Sequence, residues 1–126
     1  MSTMSKRNVV HVEIPAQDVR AAGKFYEELF GWKLSHAAEF DYTMWEDGSG
    51  YGGGFTKVAD DTPVGQVMVY IDSDDIEADL KRVEQLGGSV VLPKTEIPGT
   101  GWYAVFKDPT GNQLALYTSM NPEFNK

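Results

Sequence analysis

The chain contains no cysteine, which excludes disulfides, thiolate metal sites and cysteine nucleophiles. Positive charge is scarce: 11 Lys and Arg stand against 19 Asp and Glu, a formal net charge of −8. No basic stripe offers phosphate contacts, so nucleic acid is not expected as a partner. The acidic surplus has two readings, a solvated surface that keeps the chain soluble or attraction of a cationic ligand. No run approaches the roughly 20 apolar residues that a bilayer span requires. The polar start MSTMSKRN lacks the apolar region of a signal peptide. These absences lead us to expect a soluble, cytoplasmic protein without membrane association.

What is present suits one compact domain, 1–126, with a real core: 41% of the residues are hydrophobic and 12% aromatic. The most informative stretch is Gly101–Thr118, in which two β-rich runs flank Asp108-Pro109-Thr110-Gly111. Pro109 presets φ at the first turn position, and Gly111 can take the positive φ that closes a three-residue loop with a bulge. Residues Asp41–Thr56 repeat this hairpin with Asp47-Gly48-Ser49-Gly50 as the turn. Superposing the copies pairs Asp47 with Asp108, Gly50 with Gly111, Gly54 with Ala115 and Phe55 with Leu116.

The remaining chain also divides into two copies. Val9–Ile14 reads as a strand ended by Pro15, with Val10, Val12 and Ile14 on one face and Val9, His11 and Glu13 on the other. Asp18 caps a helix whose apolar residues Val19, Ala22, Phe25, Tyr26, Leu29 and Phe30 recur at helical spacing until Gly31. Trp32–Ser35 is a short strand, His36 falls on a polar surface loop, and the first hairpin follows. Ala59–Pro63 joins the halves. Gln66–Ile71 is again a strand, with Val67, Val69 and Ile71 opposite Gln66, Met68 and Tyr70. Asp74-Asp75-Ile76-Glu77 fits a capping box, and Ile76, Leu80, Val83 and Leu86 form one stripe. Ser89–Pro93 is a strand, Lys94–Thr100 a loop, and the second hairpin closes the unit before a polar, loosely held tail, Ser119–Lys126. A helix covers one face of each four-stranded sheet, so function belongs on the other, mixed face.

This order of elements, with a His on the first strand and a DP-x-GN hairpin at the end, resembles the vicinal oxygen chelate superfamily. That group includes glyoxalase I, extradiol dioxygenases, fosfomycin-resistance enzymes and bleomycin-resistance proteins. The phrases HVEIPAQDVRAAGKFYEELFGW, PKTEIPGTGW and FKDPTGNQLALY are similar to a glyoxalase-like branch. The resemblance implies an α+β fold of two βαβββ modules, about 8–58 and 64–119, forming a curved mixed sheet around a cleft with helices outside. It also implies a homodimer. In metal-dependent members four cleft-facing positions hold a divalent ion through His, Glu or Gln, and they map here to His11, Gly54, Gln66 and Ala115. Gly54 and Ala115 have no ligating side chain, and His11 with Gln66 alone would make a weak site. Glu13, two residues along the same face, is not an obvious substitute. No metal or other cofactor is therefore expected.

With Asp108 facing Asn112 and Ala115 facing Val105, the cleft side holds Tyr103, Val105, Lys107, Gln113, Ala115 and Tyr117. The first hairpin contributes Tyr42, Met44, Glu46, Gly52, Gly54 and Thr56, while Trp45, Trp102, Phe55 and Leu116 fall on the helix side. The ligand-binding set is His11, Glu13, Tyr42, Met44, Gly54, Gln66, Met68, Tyr103, Ala115 and Tyr117. Missing ligand side chains leave space, and aromatic walls suit an apolar or planar organic molecule. The Gly52–Gly54 run is not a phosphate loop, since no helix with Lys or Ser/Thr follows it; it allows close approach of backbone or ligand. For His11, two readings stay open: a ligand-contacting or proton-transferring residue, or a structural histidine. Three functions stay open: a metal-free binding module, a glyoxalase-like lyase, isomerase or dioxygenase-type enzyme using His11 with a divalent metal or else as base with Glu13 or Tyr103, and a partner protein with a filled cleft.

Overall fold

The computed structural model describes residues 7–37 and 42–120. Asp41 and most of the tail, residues 121–126, lie outside the described residues. The elements run β1 (Val9–Ala16), α1 (Val19–Phe30), β2 (Lys33–Ala37), β3 (Tyr42–Glu46), β4 (Gly52–Lys57), β5 (Met68–Asp72), α2 (Ile76–Gln85), β6 (Ser89–Ile97), β7 (Gly101–Lys107) and β8 (Gln113–Ser119). This is the expected α+β arrangement, βαβββ twice over. The chain forms two compact units, Val10–Val69 and, with the segment up to Val9, Tyr70 onward.

In the first unit the strand order is β2-β3-β4-β1. Among its described pairs, β1 and β4 run parallel and the others antiparallel. Asp18 caps α1 by accepting from the N–H groups of Arg20 and Ala21, and Gly31, at φ 75°, ends it in the left-handed region that a Cβ disfavours. Ala16, Val19, Trp45 and Phe55 form the core between α1 and the sheet, with Val12, Ile14, Ala22, Tyr26, Trp32 and Leu34 packed against it. Trp32 stacks on Trp45 at 4.1 Å, and Tyr26 stacks on both Trp32 and Phe55. The helical stripe is narrower than its spacing suggests. Phe25, Leu29 and Phe30 are each more than half exposed, because a single helix turns only part of its circumference to one sheet.

In the second unit the order is β5-β8-β7-β6, with β5 and β8 parallel and the other pairs antiparallel. Ile76 and Leu80 of α2 pack on Ala104 and Leu116, joined by Ile71, Val90, Trp102 and Phe106. The fully buried Ser73 ties the elements together. Its N–H donates to the Tyr117 carbonyl, its hydroxyl to Asp79 Oδ2, and its carbonyl accepts from the Thr118 hydroxyl. Arg7 completes the cluster with a two-pronged pair on Asp79.

Several sequence expectations need correction. β1 does not stop at Pro15 but runs to Ala16, with Pro15 paired to Thr56; the fixed φ of proline suits a strand end where its missing N–H breaks no ladder. The same holds for Pro93, which lies inside the edge strand β6 within its second register shift, between Leu92 and Thr95, so the expected loop begins only after Ile97. β2 reaches Ala37, and His36 is a half-buried strand residue whose Nδ1 lies 2.7 Å from Thr43 Oγ1, not a loop residue. β5 starts at Met68, leaving Gln66 and the 45%-exposed Val67 ahead of it. Asp75 caps α2 by accepting from Ala78 N–H; position N3 is therefore Ala78, and no capping box forms. Leu86 sits at the helix end, 62% exposed, outside the core stripe. Ser119 is buried at the end of β8 and does not belong to the loose tail.

Candidate functional site

Both hairpins adopt the expected register. Val105 faces Ala115 and Lys107 faces Gln113; Met44 faces Gly54 and Glu46 faces Gly52. Because faces alternate along a strand, Trp45, Phe55, Trp102 and Leu116 point to the helices; His11, Glu13, Tyr42, Met44 and Gly54 lie on the opposite face of the first unit's strands, and Tyr103, Ala115 and Tyr117 on the opposite face of the second unit's. The predicted site residues fall in both units: His11, Glu13, Tyr42, Met44, Gly54, Gln66 and Met68 in one, Tyr103, Ala115 and Tyr117 in the other.

In the first unit the structure brings His11, Glu13, Tyr42 and Gly54 together. Glu13 and Gly54 are Cα partners on β1 and β4, as are Met44 and Gly54 on β3 and β4. Tyr42 lies two residues from Met44 on the same face. Its hydroxyl donates to Glu13 Oε2 at 2.7 Å and lies 2.8 Å from His11 Nε2. A phenol has one proton, and here Glu13 receives it. The His11 contact is then made by Nε2–H donating to the Tyr42 oxygen. His11 and Glu13 side chains keep 29% and 19% of their exposure, with Nε2 and Oε2 3.6 Å apart. A hydrogen-bonded line from imidazole through phenol to carboxylate results.

The open space expected above Gly54 is absent. A Cβ added at Gly54 would overlap the Tyr42 hydroxyl and ring, so the phenol lies across β4 where a side chain at 54 would project. On the other face Trp45 covers Gly53, where an added Cβ would meet the Val12 carbonyl and Trp45 Cζ2. The glycine run thus admits two aromatic side chains, one on each face. Of the other candidates in this unit, Met44 is 41% exposed and Met68 opens β5 half-buried. Gln66 lies in the turn before β5, where its N–H donates to the Pro63 carbonyl and its side-chain amide to the Asp61 carbonyl.

In the second unit Ala115 is fully buried and flanked by Tyr70 on β5 and Val105 on β7. Tyr103 and Tyr117 are Cα partners one step along the same face, and the Tyr70 and Tyr103 rings lie 6.4 Å apart. Tyr117 donates its hydroxyl to the Thr100 carbonyl at 3.3 Å. Tyr70 joins this aromatic group; its place two residues after Met68 on the mixed face is the signal for it. At the end of β5, burial together with Asp74 raises the carboxyl of Asp72, while Arg7 opposes the shift.

As a coordination set, the four mapped positions are poor. His11 Nε2 is engaged by Tyr42, Gly54 offers no donor and is covered by a phenol, Gln66 lies in a turn, and Ala115 offers no donor. Among the described residues, no group of three or more His, Cys, Asp or Glu side chains is arranged to hold a metal ion.

The fold is shared with solved structures. One is a glyoxalase/bleomycin resistance protein/dioxygenase superfamily member from Vibrio splendidus, at a TM-score of 0.67 and 17% identity over 90% of this chain and 100% of that one. The family model of the Glyoxalase/Bleomycin resistance protein/Dioxygenase superfamily matches residues 8–116, and the chain belongs to this family. A glyoxylase-like domain-containing protein from Didymella fabae is 30% identical, covering 85% of this chain and 90% of that protein. The anthracycline biosynthesis protein DnrV of Streptomyces peucetius is also 30% identical, over 83% of this chain. This chain spans 44% of the length of that Streptomyces relative. No helix among the described residues is long and apolar enough to cross a membrane.

Proposed function

We propose that this chain binds a small apolar or aromatic organic molecule without a metal ion, as bleomycin-resistance proteins sequester a drug, and that it does so as a cytoplasmic homodimer. The observation that carries the reading is the Tyr42 phenol lying over Gly54 and bonded to His11 and Glu13. A position that holds a ligating side chain in metal-dependent relatives holds an aromatic ring here. Aromatic faces with few, fixed polar groups suit a planar ligand, and the other unit carries an aromatic group of its own in Tyr70, Tyr103 and Tyr117. The name of the Streptomyces relative refers to anthracycline biosynthesis, which accords with an organic ligand.

Native mass spectrometry of protein purified without chelator tests this reading. The expected result is a dimer without bound metal, whose intrinsic fluorescence is quenched on titration with fused-ring aromatic compounds. His11→Ala and Tyr103→Ala should each weaken that titration. A divalent ion retained on each chain, or titrations unchanged in both variants, overturns the proposal.

The hydrogen-bonded line His11–Tyr42–Glu13 favours a second reading, metal-free acid–base chemistry at a C–H bond next to a carbonyl, with Nδ1 of His11 as base while Nε2–H is held by Tyr42. Solvent deuterium incorporated into a 2-oxo compound by the protein, and lost in His11→Ala, would select it over sequestration.

A further inference from the structure

We propose that Tyr42 determines the specificity of this site by standing in for a side chain at position 54 and barring a divalent ion from His11 and Glu13. The inference rests on the metal-independent reading above and names the residue that enforces it. Glu13, Gly54 and Met44 form one row across β1, β4 and β3. Tyr42 starts on β3 and its hydroxyl comes to rest over Gly54 of the neighbouring β4, where the His11 and Glu13 side chains meet it from β1. It can lie flat across β4 only because residue 54 has no Cβ. Once there, its hydroxyl engages His11 Nε2 and Glu13 Oε2, the atoms that these residues would turn to a metal. An incoming ion would have to break two short hydrogen bonds, one of them charge-assisted, and it would gain no third donor from position 54.

The converse follows from the same geometry. With Tyr42 shortened, a carboxylate at 54 would emerge beside its partner Glu13 and near His11. Three nitrogen and oxygen donors from adjacent strands would then be grouped, the minimum that zinc-like sites take from protein. Residues 42 and 54 therefore act as an exchangeable pair, in which bulk at one position requires its absence at the other.

The test is equilibrium dialysis against Ni²⁺ and Mn²⁺, each alone, with the full chain as wild type, Gly54→Glu, Tyr42→Ala/Gly54→Glu, and that double variant carrying His11→Ala. The wild type should retain no ion and the double variant about one per chain. The single Gly54→Glu should bind more weakly than the double variant because Tyr42 still competes for His11 and Glu13. Adding His11→Ala should abolish retention. A folded double variant that retains no more ion than wild type overturns the inference and leaves the metal-independent reading standing. An ion retained by wild type instead overturns the metal-independent reading. Thermal melts of the alanine cycle cover the case in which the glutamate variants do not fold. Gly54→Ala should lower Tm in wild type and lower it less in the Tyr42→Ala background; equal shifts in both backgrounds overturn the inference.

Discussion

Asp47 and Asp108 occupy matching places in the two hairpins and share the backbone bond that closes each turn. Each donates its backbone N–H to the carbonyl four residues on, Tyr51 or Asn112, at 2.9 Å in both hairpins. Each turns Oδ1 back to accept from N–H groups within its own turn: Ser49 and Tyr51 in one case, Thr110, Gly111 and Asn112 in the other. Gly50 and Gly111 close the turns at φ 104° and 111°. These bonds hold both carboxyls below their usual range. A depressed folded value contributes stability that is present at neutral pH and lost as pH falls through it. Asp47→Ala and Asp108→Ala should each lower Tm at neutral pH, and the loss should shrink in acid. A Tm unchanged by both substitutions would remove the turns from the stability argument.

Removing only the hydroxyl of Tyr42 tests the line from His11 to Glu13. Tyr42→Phe should cost about 1–3 kcal/mol in urea unfolding, because two polar partners lose a short hydrogen bond. His11→Ala should cost less in the Tyr42→Phe background than in wild type, the signature of coupled residues. Strict additivity would mean that the contact contributes no coupling.

Asp79 and Asp72 respond to pH in opposite senses. The Arg7 and Ser73 hydrogen bonds hold Asp79 below the usual carboxylate range, so its contribution is present at neutral pH and fades as pH falls. Burial, with Asp74 adding to it, raises Asp72, so its contribution favours the fold in acid and is lost as pH rises through the raised value. Asp79→Asn should therefore flatten the acid side of the stability profile. Asp72→Asn should stabilise at neutral pH, with the gain vanishing in acid. Because Arg7 is about half exposed, Arg7→Ala should cost only about 1 kcal/mol or less. Urea midpoints between pH 3 and 8 (roughly spanning carboxylate titration) check all three.

Packing separates residues that look alike in sequence. Phe55 is fully buried among Trp45, Val19 and Ala16, and Phe55→Ala should cost about 3–5 kcal/mol. Leu86→Ala, at an exposed helix end, should stay within about 0.5 kcal/mol. A large loss at Leu86 would show that the α2 end is covered in solution.

The parts of the fold legible in the sequence are those that local chemistry dictates. Asp108-Pro109-Thr110-Gly111 sets a turn, the turn sets a register, and the register sorts Trp45 from Met44 and Leu116 from Ala115. Proline misleads where it is read only as a terminator: Pro15 and Pro93 lie inside strands because an edge or an end does not need their N–H. Gln66 and His36 are misplaced by element boundaries that slip by two residues, which moves one into a turn and the other onto a strand. The site is half legible. Alternation puts His11, Glu13, Tyr42 and Gly54 on one face, but that Tyr42 joins His11 to Glu13 over a neighbouring strand depends on side-chain reach across β4. Sequence pattern assigns faces; it does not say which long side chain lies over which small one.

The bare strand under Tyr42 also limits the order in which this site could change during evolution. A carboxylate arriving first at position 54 meets a crowded sheet and must push the phenol from both of its hydrogen bonds. A shortened residue at 42 arriving first leaves only a gap, which the chain can tolerate until the second change. A chain that carries a tyrosine over a glycine here therefore exchanges the pair through one narrow sequence of steps, with a loosened intermediate exposed to selection between them.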